Sequence, residues 1–570
     1  MKKEWKSNNY TSIKQIVEKH TQMSAEEFLH PLKDPYLRDL KECVQYVSQK
    51  AKSVPIHIIG DYDADGDMAT AILELCLQAY GATQVHVRLP RRFSEGYGLS
   101  MKIIDEITDG LIITVDNGIA AIDQIAEAKK KGLSVVVIDH HLPVRKSGHV
   151  VLPDADFIID PKAIEGSEFS DYCGAGLAYR FAKELLTDAH PIMNSLLVFA
   201  SIATVADMVP LIGDNRNIVK EGLECINRRD VTFGLQLLLD RLNLTSITED
   251  DYGFLIGPVM NASGRMLDDG PNDVVNLVTS LADPANPDFL RKIMYLQDLA
   301  DELVERNENR KATVINDLAI AETLIEKEEL KDNTPLILYS PDFWEGTIGI
   351  LAGKLAEKYR VPCMVFTDSS VSGIAKGSGR TYGDIHLKYL LDDVSDILEG
   401  YGGHAAAAGL SIQVKNLTVL QKRLNEQIKK MKISFSENIF YDMKISENEI
   451  PHLINDIKLY APYGIGNPKP VFCIENFSCS PITGKFHREL GEEKNCIKFT
   501  GKIASAVGFH VNEKYHEAGE PKIMNLIGTL SEKCFKWNKT TQIEIIDFEN
   551  AENNEKTDFF MDLEKTLSFI

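Results

Sequence analysis

Several features of other protein classes are missing from this 570-residue sequence. Its nine cysteines form no CxxC pair and are odd in number, which argues against both a zinc knuckle and a disulfide framework. No run of eighteen apolar residues occurs, and the opening MKKEWKSNNY lacks the apolar stretch of a signal peptide. We therefore expect a cytoplasmic protein that does not contact a membrane.

A surplus of basic charge is also missing, because the formal net charge is −22. A protein that covers duplex DNA over a broad face normally carries excess Lys and Arg, so the negative net charge argues against binding of duplex DNA. Basic residues nevertheless cluster at 88–92, at 376–380 and at 415–432. A narrow positive channel inside an acidic shell would admit a single strand, although the last cluster also fits the solvated face of an amphipathic helix.

Length and pattern predict an α/β protein of several domains. The chain is 44% hydrophobic and 26% charged, which is typical of a globular protein with three or four cored domains. From 54 to about 230, apolar strands alternate with helices, which implies parallel strands joined by crossover helices. We predict a helical leader at 1–50 that packs on the first sheet, an α/β domain at 51–283, a connecting helix at 284–330, a second α/β domain at 331–432, a linker at 433–469, a small β-barrel at 470–550 and an acidic tail at 551–570.

Acidic and imidazole side chains follow three of the predicted strands. In HIIGDYDADGD, at 57–67, aspartates occupy alternate positions after the first apolar run, and LIITVDNG and LSVVVIDHH end the next two runs in a similar way. In open α/β sheets the ligand crevice lies beyond the carboxyl ends of the strands, so these side chains can converge. The residues concerned are Asp61, Asp63, Asp65, Asp116, Asp139, His140 and His141.

A metal site explains this group better than helix capping does. Closely spaced carboxylates repel one another unless protons or cations neutralise them, and hard divalent cations take oxygen ligands. Only one acid can cap the helix that follows the first strand. A single acid such as Asp67, in contrast, is expected to be a cap or turn residue.

Four motifs resemble those of the DHH phosphoesterase superfamily. They are DYDADG at 61–66, VDNG at 115–118, DHH at 139–141 and SIATVADMVPLIGDNR at 201–216, which contributes Asp207. DHH alone is a weak tripeptide, but four motifs in this order are a specific signal.

Within that superfamily the chain most resembles the RecJ family of single-strand-specific exonucleases, over nearly its whole length. The matching blocks are LPRRFSEGYGLS, LPDADFIIDPK, CGAGLAYRFA, GPVMNASGRM, GTIGILAGKLAEKY, KGSGR, YGGHAAAAGLSI and YGIGNPKPVF. The resemblance implies a DHH domain at 51–283, a DHHA1 domain at 331–432 and an OB-like domain at 470–550.

The resemblance also implies phosphodiester hydrolysis with two metal ions. Two cations about 3.5 to 4 Å apart polarise the phosphoryl oxygens and activate water. Asp116 is the candidate bridging ligand, Asp61 is a further ligand or a nearby acid, and His141 would face the scissile phosphate and stabilise charge. The other expected ligands are Asp63, Asp65, His140 and Asp207. Mixed carboxylate and imidazole ligands suit Mn2+ or Mg2+.

Glycine-rich loops beside basic residues predict contacts with the DNA backbone. Glycine lets backbone amides approach phosphate closely, and such loops occur at 261–265, 377–380 and 401–404. Each loop alone is equally consistent with a simple turn. The resemblance assigns nucleic-acid binding to Arg92, Arg265, Ser378, Arg380, Gly403 and His404.

The sequence thus predicts a 5′→3′ exonuclease of single-stranded DNA that releases 5′-mononucleotides in DNA repair and recombination. It would act as a monomer, with a helicase and a single-strand-binding protein as possible partners. One alternative is a phosphodiesterase of short oligonucleotides or cyclic dinucleotides, and another is a DNA-binding scaffold without catalysis. The complete acid set disfavours the scaffold, and the domains after 430 disfavour the short-substrate enzyme.

One position departs from the family pattern. RecJ sequences commonly have Trp-His where this chain has Phe343 and Trp344, so one contact of the active site or the DNA is changed.

Overall fold

The structure is a computed structural model that describes residues 4–146, 148–383, 385–403, 405–431, 438–481, 485–491, 494–509, 511–535 and 538–551. No helix within these ranges is long and apolar enough to cross a membrane.

The N-terminal segment is shared between two domains. It contains β1 (Trp5–Ser7), α1 (Ile13–Thr21), α2 (Ala25–Leu29) and α3 (Leu40–Lys50). Strand β1 pairs with a strand near residue 440, and the apolar faces of α1 and α2 lie in the C-terminal core. Helix α3 instead contributes its buried residues to the core of the first domain. The expectation that residues 1–50 all pack on the first sheet is therefore wrong for the part before 30.

The first domain is built on a five-stranded parallel sheet. Its order is β3-β2-β4-β5-β8, so the two strands that follow β2 in sequence lie on opposite sides of it. Residues of β2, β4 and β5 are almost all buried, as expected for a parallel sheet covered on both faces. The elements are β2 (Ile56–Ile59), α4 (Ala64–Tyr80), β3 (Val85–Arg88), α5 (Met101–Glu106), β4 (Leu111–Val115), α6 (Ile122–Lys130), β5 (Ser134–Ile138), β6 (Val144–Lys146), β7 (His149–Val151) and β8 (Phe157–Ile159).

Helices complete this domain and connect it to the next. Helices α4, α7 and α8 share one large apolar core with the sheet. The helices are α7 (Gly174–Leu185), α8 (Met193–Ala206), α9 (Gly213–Asn227), α10 (Phe233–Arg241), α11 (Glu249–Asp251), a π-helical turn (Tyr252–Ile256), α12 (Gly257–Met266), α13 (Gly270–Val278) and α14 (Phe289–Lys327). The predicted connecting helix is confirmed in α14, whose 39 residues span about 58 Å at 1.5 Å per residue.

The second domain has a mixed sheet in the order β12-β13-β11-β10-β9. Only β9 and β10 run parallel. Helix α17 buries Leu420, Leu424 and Ile428 and leaves its lysines exposed, so the basic cluster at 415–432 is largely a solvated helix face. The elements are β9 (Leu336–Tyr339), α15 (Ile348–Tyr359), β10 (Cys363–Asp368), β11 (Ile374–Arg380), α16 (Leu387–Asp392), β12 (Leu398–Gly403), β13 (Ala407–Gln413) and α17 (Leu417–Lys430).

The C-terminal domain contains a seven-stranded mixed sheet in the order β15-β16-β20-β21-β19-β18-β17. Its elements are β14 (Ile439–Tyr441), β15 (Met443–Ser446), α18 (Ile450–Tyr460), β16 (Val471–Ser478), β17 (Arg488–Leu490), β18 (Cys496–Thr500), β19 (Ser505–Phe509), α19 (Asn512–Glu517), β20 (Ile523–Phe535) and β21 (Asn538–Asn550).

The expected linker at 433–469 is part of this C-terminal domain from residue 438 onward. Strand β15 pairs with β16, and α18 buries Ile450, Ile454 and Ile457 in the same core. These isoleucines follow the helical spacing of four and three residues, a period that marks a packed helix. Apart from Ala551, the predicted acidic tail lies outside the described residues.

A buried arginine joins the first and last domains. Arg216 of α9 lies 4.1 Å from the ring centroid of Phe28 and donates to the backbone carbonyl of Tyr460 at 3.1 Å. Lys469 also forms an ion pair with Asp250 at 2.6 Å. These contacts hold the C-terminal domain against the helical part of the first domain.

Candidate active site

The carboxyl ends of the central strands carry the predicted acids to one edge of the sheet. Asp61 follows β2, Asp116 follows β4 and His140 follows β5, while Asp207 arrives from the end of α8. Asp63 caps the N-terminus of α4, where its Oδ1 accepts from the amides of Asp65 and Gly66 at 3.1 Å.

Seven predicted side chains converge there into groups with the dimensions of metal sites. His140 Nε2 lies 3.1 Å from Asp116 Oδ1, 3.7 Å from Asp65 Oδ2 and 3.8 Å from Asp207 Oδ2. Within each group the ligand atoms lie within 4.8 Å of one another. The groups are Asp61, Asp63 and Asp116; Asp65, His140 and Asp207; and Asp116, His140 and His141. Because Asp116 and His140 each belong to two groups, the arrangement suits two neighbouring cations.

Backbone contacts fix two of these carboxylates. The amides of Gly174 and Ala175, at the start of α7, donate to the two oxygens of Asp65 at 2.7 and 2.8 Å. Asp116 has a left-handed φ of 60°, which is uncommon outside glycine and is typical of functional positions. A Cβ on Gly174 would lie 2.6 Å from the Cβ of Asp116, so only glycine leaves this carboxylate in place.

Burial and crowding make the ligand-free site electrostatically unfavourable. Burial, followed by repulsion from neighbouring aspartates, raises the pKa of Asp61, Asp116 and Asp207 well above the usual value. Burial lowers the pKa of His140 to about 4, which keeps the imidazole neutral. Asp61 Oδ1, Asp116 Oδ1 and His140 Nε2 are buried and make no hydrogen bond within the described chain. Unpaired carboxylate oxygens beside a neutral imidazole form a donor set that fits Mn2+ or Mg2+.

His141 is held differently from His140. Its Nδ1 lies 2.8 Å from Asp139 Oδ1, and its ring edge approaches the hydroxyl of Tyr97. Burial alone would lower the pKa of His141, but the hydrogen bond to Asp139 and the charges of Asp139, Asp207 and Asp61 raise it to about 9. At neutral pH His141 therefore carries a positive charge among the carboxylates.

A second charged region, which we call the arginine pocket, lies between the first and second domains. Its cavity has a volume of about 370 Å3 and is lined by Arg92 and Arg265 of the first domain and by Ser378 and Arg380 of β11. Arg92 lies over the ring of Tyr62, with 4.9 Å from its guanidinium carbon to the ring centroid.

The three arginines of this pocket repel one another. Burial, then the charge of Arg92, lowers the pKa of Arg265 to about 10 and that of Arg380 below its usual value. Among the described residues, Arg92, Arg265 and Arg380 form no ion pair with a carboxylate. Tyr97 lines the cavity and donates to the backbone carbonyl of Asp116 at 2.8 Å, so the pocket adjoins the metal centre.

Three stretches of the chain match family models. Residues 55–204 match the DHH family, N-terminal domain, residues 333–430 match the DHHA1 domain, and residues 441–547 match the RecJ OB domain. The predicted fold class is thereby confirmed in its DHH, DHHA1 and OB parts.

Relatives extend this similarity across the chain. The single-stranded-DNA-specific exonuclease RecJ of Salmonella typhimurium is 32% identical over 449 residues, which cover 73% of this chain and 74% of the relative. The chain belongs to the RecJ family. The RecJ of Bacillus subtilis is 31% identical over 550 residues, which cover 92% of this chain and 66% of that longer protein.

Solved structures of RecJ have the same architecture. The structure of RecJ from Thermus thermophilus in complex with Mn2+ superposes with a TM-score of 0.76 at 24% identity, covering 94% of this chain and 76% of the other. A structure of exonuclease RecJ bound to manganese has a TM-score of 0.57 at 27% identity and covers 71% of this chain and 98% of the other.

Of the six residues predicted to bind DNA in this RecJ-family chain, four line the pocket, one does not and one lies outside the described residues. Arg92, Arg265, Ser378 and Arg380 lie together. Gly403 does not line the cavity; it is the last residue of β12, where it pairs with Ala408 and has a φ of 141°. His404 lies outside the described residues.

Several residues that support the RecJ-type site were given no role from the sequence. Asp139 positions His141, and Asn117 ties two strand ends together by donating to the carbonyls of Ile59, Gly60 and Val115. Asp139 directly follows β5 and Asn117 directly follows Asp116, and these positions were the sequence signal that could have predicted their roles. Asp67 is not a cap or turn residue as expected: it is fully buried inside α4 and neither carboxyl oxygen has a hydrogen-bond partner in the described chain.

Proposed function

We propose that this chain is a metal-dependent exonuclease that degrades single-stranded DNA from its 5′ end and releases 5′-mononucleotides. The observation that carries the proposal is the placement of an acidic metal centre and an unpaired arginine pocket side by side in one cleft. The end of a DNA strand fits this arrangement. Its scissile phosphate would lie at the cations, and its terminal phosphate would lie at the arginines. The names of the RecJ relatives support the substrate and the class of reaction.

Five side chains would hold the two cations. Asp116 would be shared between them, Asp63 would hold one with Asp61 nearby, and Asp65, His140 and Asp207 would hold the other. Bound divalent cations would supply Lewis-acid polarisation of the phosphoryl group and activation of water. The RecJ structure bound to manganese supports Mn2+, and the same oxygen-rich donor set accepts Mg2+.

His141 stabilises negative charge that develops on the scissile phosphate. In the metal-free protein the hydrogen bond to Asp139 and the nearby carboxylates outweigh burial and raise the pKa of His141 to about 9, and Asp139 fixes the ring through Nδ1. A positive group held in advance at a buried site needs no reorganisation during the reaction. Asp139 is thus a positioning residue that acts through His141.

The arginine pocket holds the 5′-terminal phosphate. Each guanidinium presents a planar fork of donors that matches phosphate oxygens, and Ser378 adds a hydroxyl. Since Tyr97 connects this cavity to Asp116 and His141, a bound terminal phosphate would bring the next phosphodiester to the metal centre. Cleavage at that bond releases a nucleotide that keeps its 5′-phosphate.

The position of the site between two domains favours a single strand. The domains approach closely at Gly346, where an added Cβ would lie 1.9 Å from the carbonyl oxygen of Arg265. A duplex is wider than a single strand and could not lie between the two domains while this contact persists. The enzyme would therefore depend on a helicase to expose the strand and would meet it coated by single-strand-binding protein. We propose that it acts as a monomer in the cytoplasm.

One assay tests the proposed function. Linear single strands labelled at the 5′ or the 3′ end are incubated with the protein and Mn2+, and a circular single strand of similar composition serves as the control. We expect the 5′ label to appear first in mononucleotides, the 3′ label to persist in shortening strands, and the circle to survive. Early release of the 3′ label, or cleavage of the circle, would contradict the proposal.

A second comparison tests strand selectivity. The same sequence is presented as a single strand and as a blunt duplex, each with a 5′-phosphate. We expect the duplex to be degraded far more slowly because it does not enter the cleft. Equal rates would show that the cleft opens wide enough for both strands.

A further inference from the structure

Trp344 lies at the contact between the two domains. It precedes α15 of the second domain, and its indole Nε1 donates to the backbone carbonyl of Arg265 in the first domain at 2.8 Å. The backbone at Gly346 packs closely against the same carbonyl. A Cβ on Gly346 would lie 1.9 Å from that carbonyl oxygen and 2.9 Å from the indole nitrogen. The backbone of Arg265 is therefore held directly against the Trp344 loop.

The same indole contacts the loop that carries Arg92. The rings of Trp344 and Phe93 meet edge to face with 5.8 Å between their centroids. The amide of Phe93 donates to Asp268 at 2.8 Å, which fixes the loop to the region that follows α12. One side chain thus contacts both segments of the first domain that contribute an arginine to the pocket, namely the end of α12 and the loop that carries Arg92.

The Trp344 loop is itself anchored to the connecting helix. Asp317 of α14 is buried, and its Oδ2 accepts from the hydroxyl of Thr347 at 2.9 Å and from the amide of Trp344 at 3.4 Å. Arg265 donates through Nη1 to the carbonyl of Gly346 at 3.4 Å, which closes the contact from the other side. The backbone of the Trp344 loop is therefore anchored, and the indole, although 41% exposed, is held by its hydrogen bond to Arg265 and its contact with Phe93.

We propose that Trp344 is a positioning residue that sets the spacing of Arg92 and Arg265 opposite Arg380, and thereby prepares the arginine pocket for a 5′-terminal phosphate. This inference rests on the proposed function. Three like charges move apart unless the structure holds them, and a phosphate binds best when its donors are already in place. Trp344 does not line the cavity, so it acts through the arginines.

Tryptophan at position 344, where the family pattern has histidine, keeps a ring N–H that can donate a hydrogen bond. In the five-membered rings of tryptophan and histidine, the indole Nε1 and the imidazole Nε2 can occupy equivalent positions. A histidine at 344 could therefore donate to the same carbonyl, whereas phenylalanine could not. The apolar remainder of the indole adds the contact with Phe93.

The test uses binding in the absence of metal, so that cleavage does not interfere. The full chain, with EDTA, is titrated into a short fluorescent single strand that carries either a 5′-phosphate or a 5′-hydroxyl. For Trp344→Phe we expect about tenfold weaker binding of the phosphorylated strand and less than about twofold for the hydroxyl strand, as the loss of one hydrogen bond would give. Trp344→His should restore binding to within about threefold.

Trp5 provides a matched control. Its indole Nε1 also donates a single hydrogen bond, to Asp547 Oδ2 at 2.9 Å, far from the cleft in the C-terminal domain. Trp5→Phe removes the same kind of donor and should leave the difference between the two strands unchanged. Gly346→Ala, which forces the domains apart, should reproduce the loss seen in Trp344→Phe.

In the cleavage assay with Mn2+, Trp344→Phe should raise KM for the phosphorylated strand and leave kcat within about twofold. Equal weakening on both strands, or a failure of Trp344→His to restore binding, would overturn the positioning role. Failure of the proposed function is distinguishable, because the wild type would then not cleave with Mn2+ even where the binding difference persists.

Discussion

The metal centre and the arginine pocket face the same cleft but are built in opposite ways. At the metal centre, carboxylates are crowded by strand ends and by α4 and α8 of a single domain. In the arginine pocket, a loop and the end of helix α12 of one domain and a strand of another bring the guanidinium groups together. Without a ligand, repulsion between like charges destabilises each region, and a ligand of the opposite charge would relieve that repulsion. Unpaired like charges thus identify both binding sites.

The two regions differ in what holds them. A parallel sheet and its core fix the metal ligands, so the domain preserves them by itself. The arginines are brought together only where Gly346 and Trp344 meet Arg265 across the domain boundary. We therefore expect chemistry to depend on the first domain and recognition of the strand end to depend on how the domains are joined.

The largest effect is expected from Asp116→Asn. Asparagine tolerates the left-handed φ of 60° but removes the charge that both cations share. Activity with Mn2+ should fall by roughly a thousandfold or more, while the metal-free protein keeps or gains thermal stability because repulsion is relieved. Asp160→Asn, at the buried end of β8 and outside the ligand groups, is the matched control and should retain activity. Activity within about tenfold of wild type for Asp116→Asn would remove the two-cation assignment.

Asp139→Asn should have the next largest effect. It leaves the cation ligands in place but removes the partner that raises the pKa of His141. We expect kcat to fall about 10- to 100-fold with little change in KM, and the alkaline limb of the pH–rate profile to move to lower pH. A loss of kcat without any change in the pH profile would mean that Asp139 does not act through His141.

A smaller and more selective effect is expected from Arg380→Met. The aliphatic chain of methionine preserves packing, and the missing fork should weaken binding of a 5′-phosphorylated strand by about tenfold or more. A 5′-hydroxyl strand should lose much less. Arg423→Met is the control in the same domain, since Arg423 is ion-paired with Asp396 at 2.8 Å outside the pocket. Equal losses on the two strands would show that the pocket does not recognise the 5′ terminus.

The smallest effect is the pH dependence of stability in metal-free protein. Burial and the charge of Asp139 raise the pKa of Asp160 to about 7, and that of His141 is raised to about 9. Both shifts favour the protonated form in the folded state. The stability from Asp160 is lost as pH rises from about 4 to 7, and that from His141 as pH rises from about 6.5 to 9. Between pH 6.5 and 9 the loss therefore comes mainly from His141. We expect Tm to fall by a few degrees over this range.

Saturating Mn2+ should raise Tm more at pH 8.5 than at pH 6.5, because the cations replace the protons that neutralise the acids. The arginine pocket should contribute nothing to the change of Tm with pH over this range, since the pKa of Arg265, although lowered, remains about 10. A Tm that rises with pH in EDTA would contradict the crowded-carboxylate description of the site.

Sequence patterns predicted the metal centre better than the arginine pocket. The metal ligands follow the strands of one sheet, whereas the arginines come from two domains. Periodicity predicted β2, β4 and β5, and parallel strands bring their ends to one edge, so the convergence of Asp61, Asp116 and His140 was foreseeable. No local pattern places Arg265 beside Arg380, and only the resemblance linked them. The amphipathic helices α18 and α1 were assigned wrongly for one reason. The apolar face of such a helix predicts that it packs but does not specify the domain on which it packs, so α18 was taken as part of a linker and α1 as part of the first domain.

The strand ends, the order of the acidic and imidazole motifs, the long helix α14 and the family can all be predicted from the chain alone, since each depends on neighbouring residues. Which side chains are left without partners depends on how the chain packs. Whether Asp67 caps a helix or lies buried, whether Asp139 orients His141, and whether Trp344 joins two domains depend on burial and on contacts between residues far apart in sequence. A pattern along the chain records the kind of side chain, but its environment is set by packing, and environment controls both charge and chemistry.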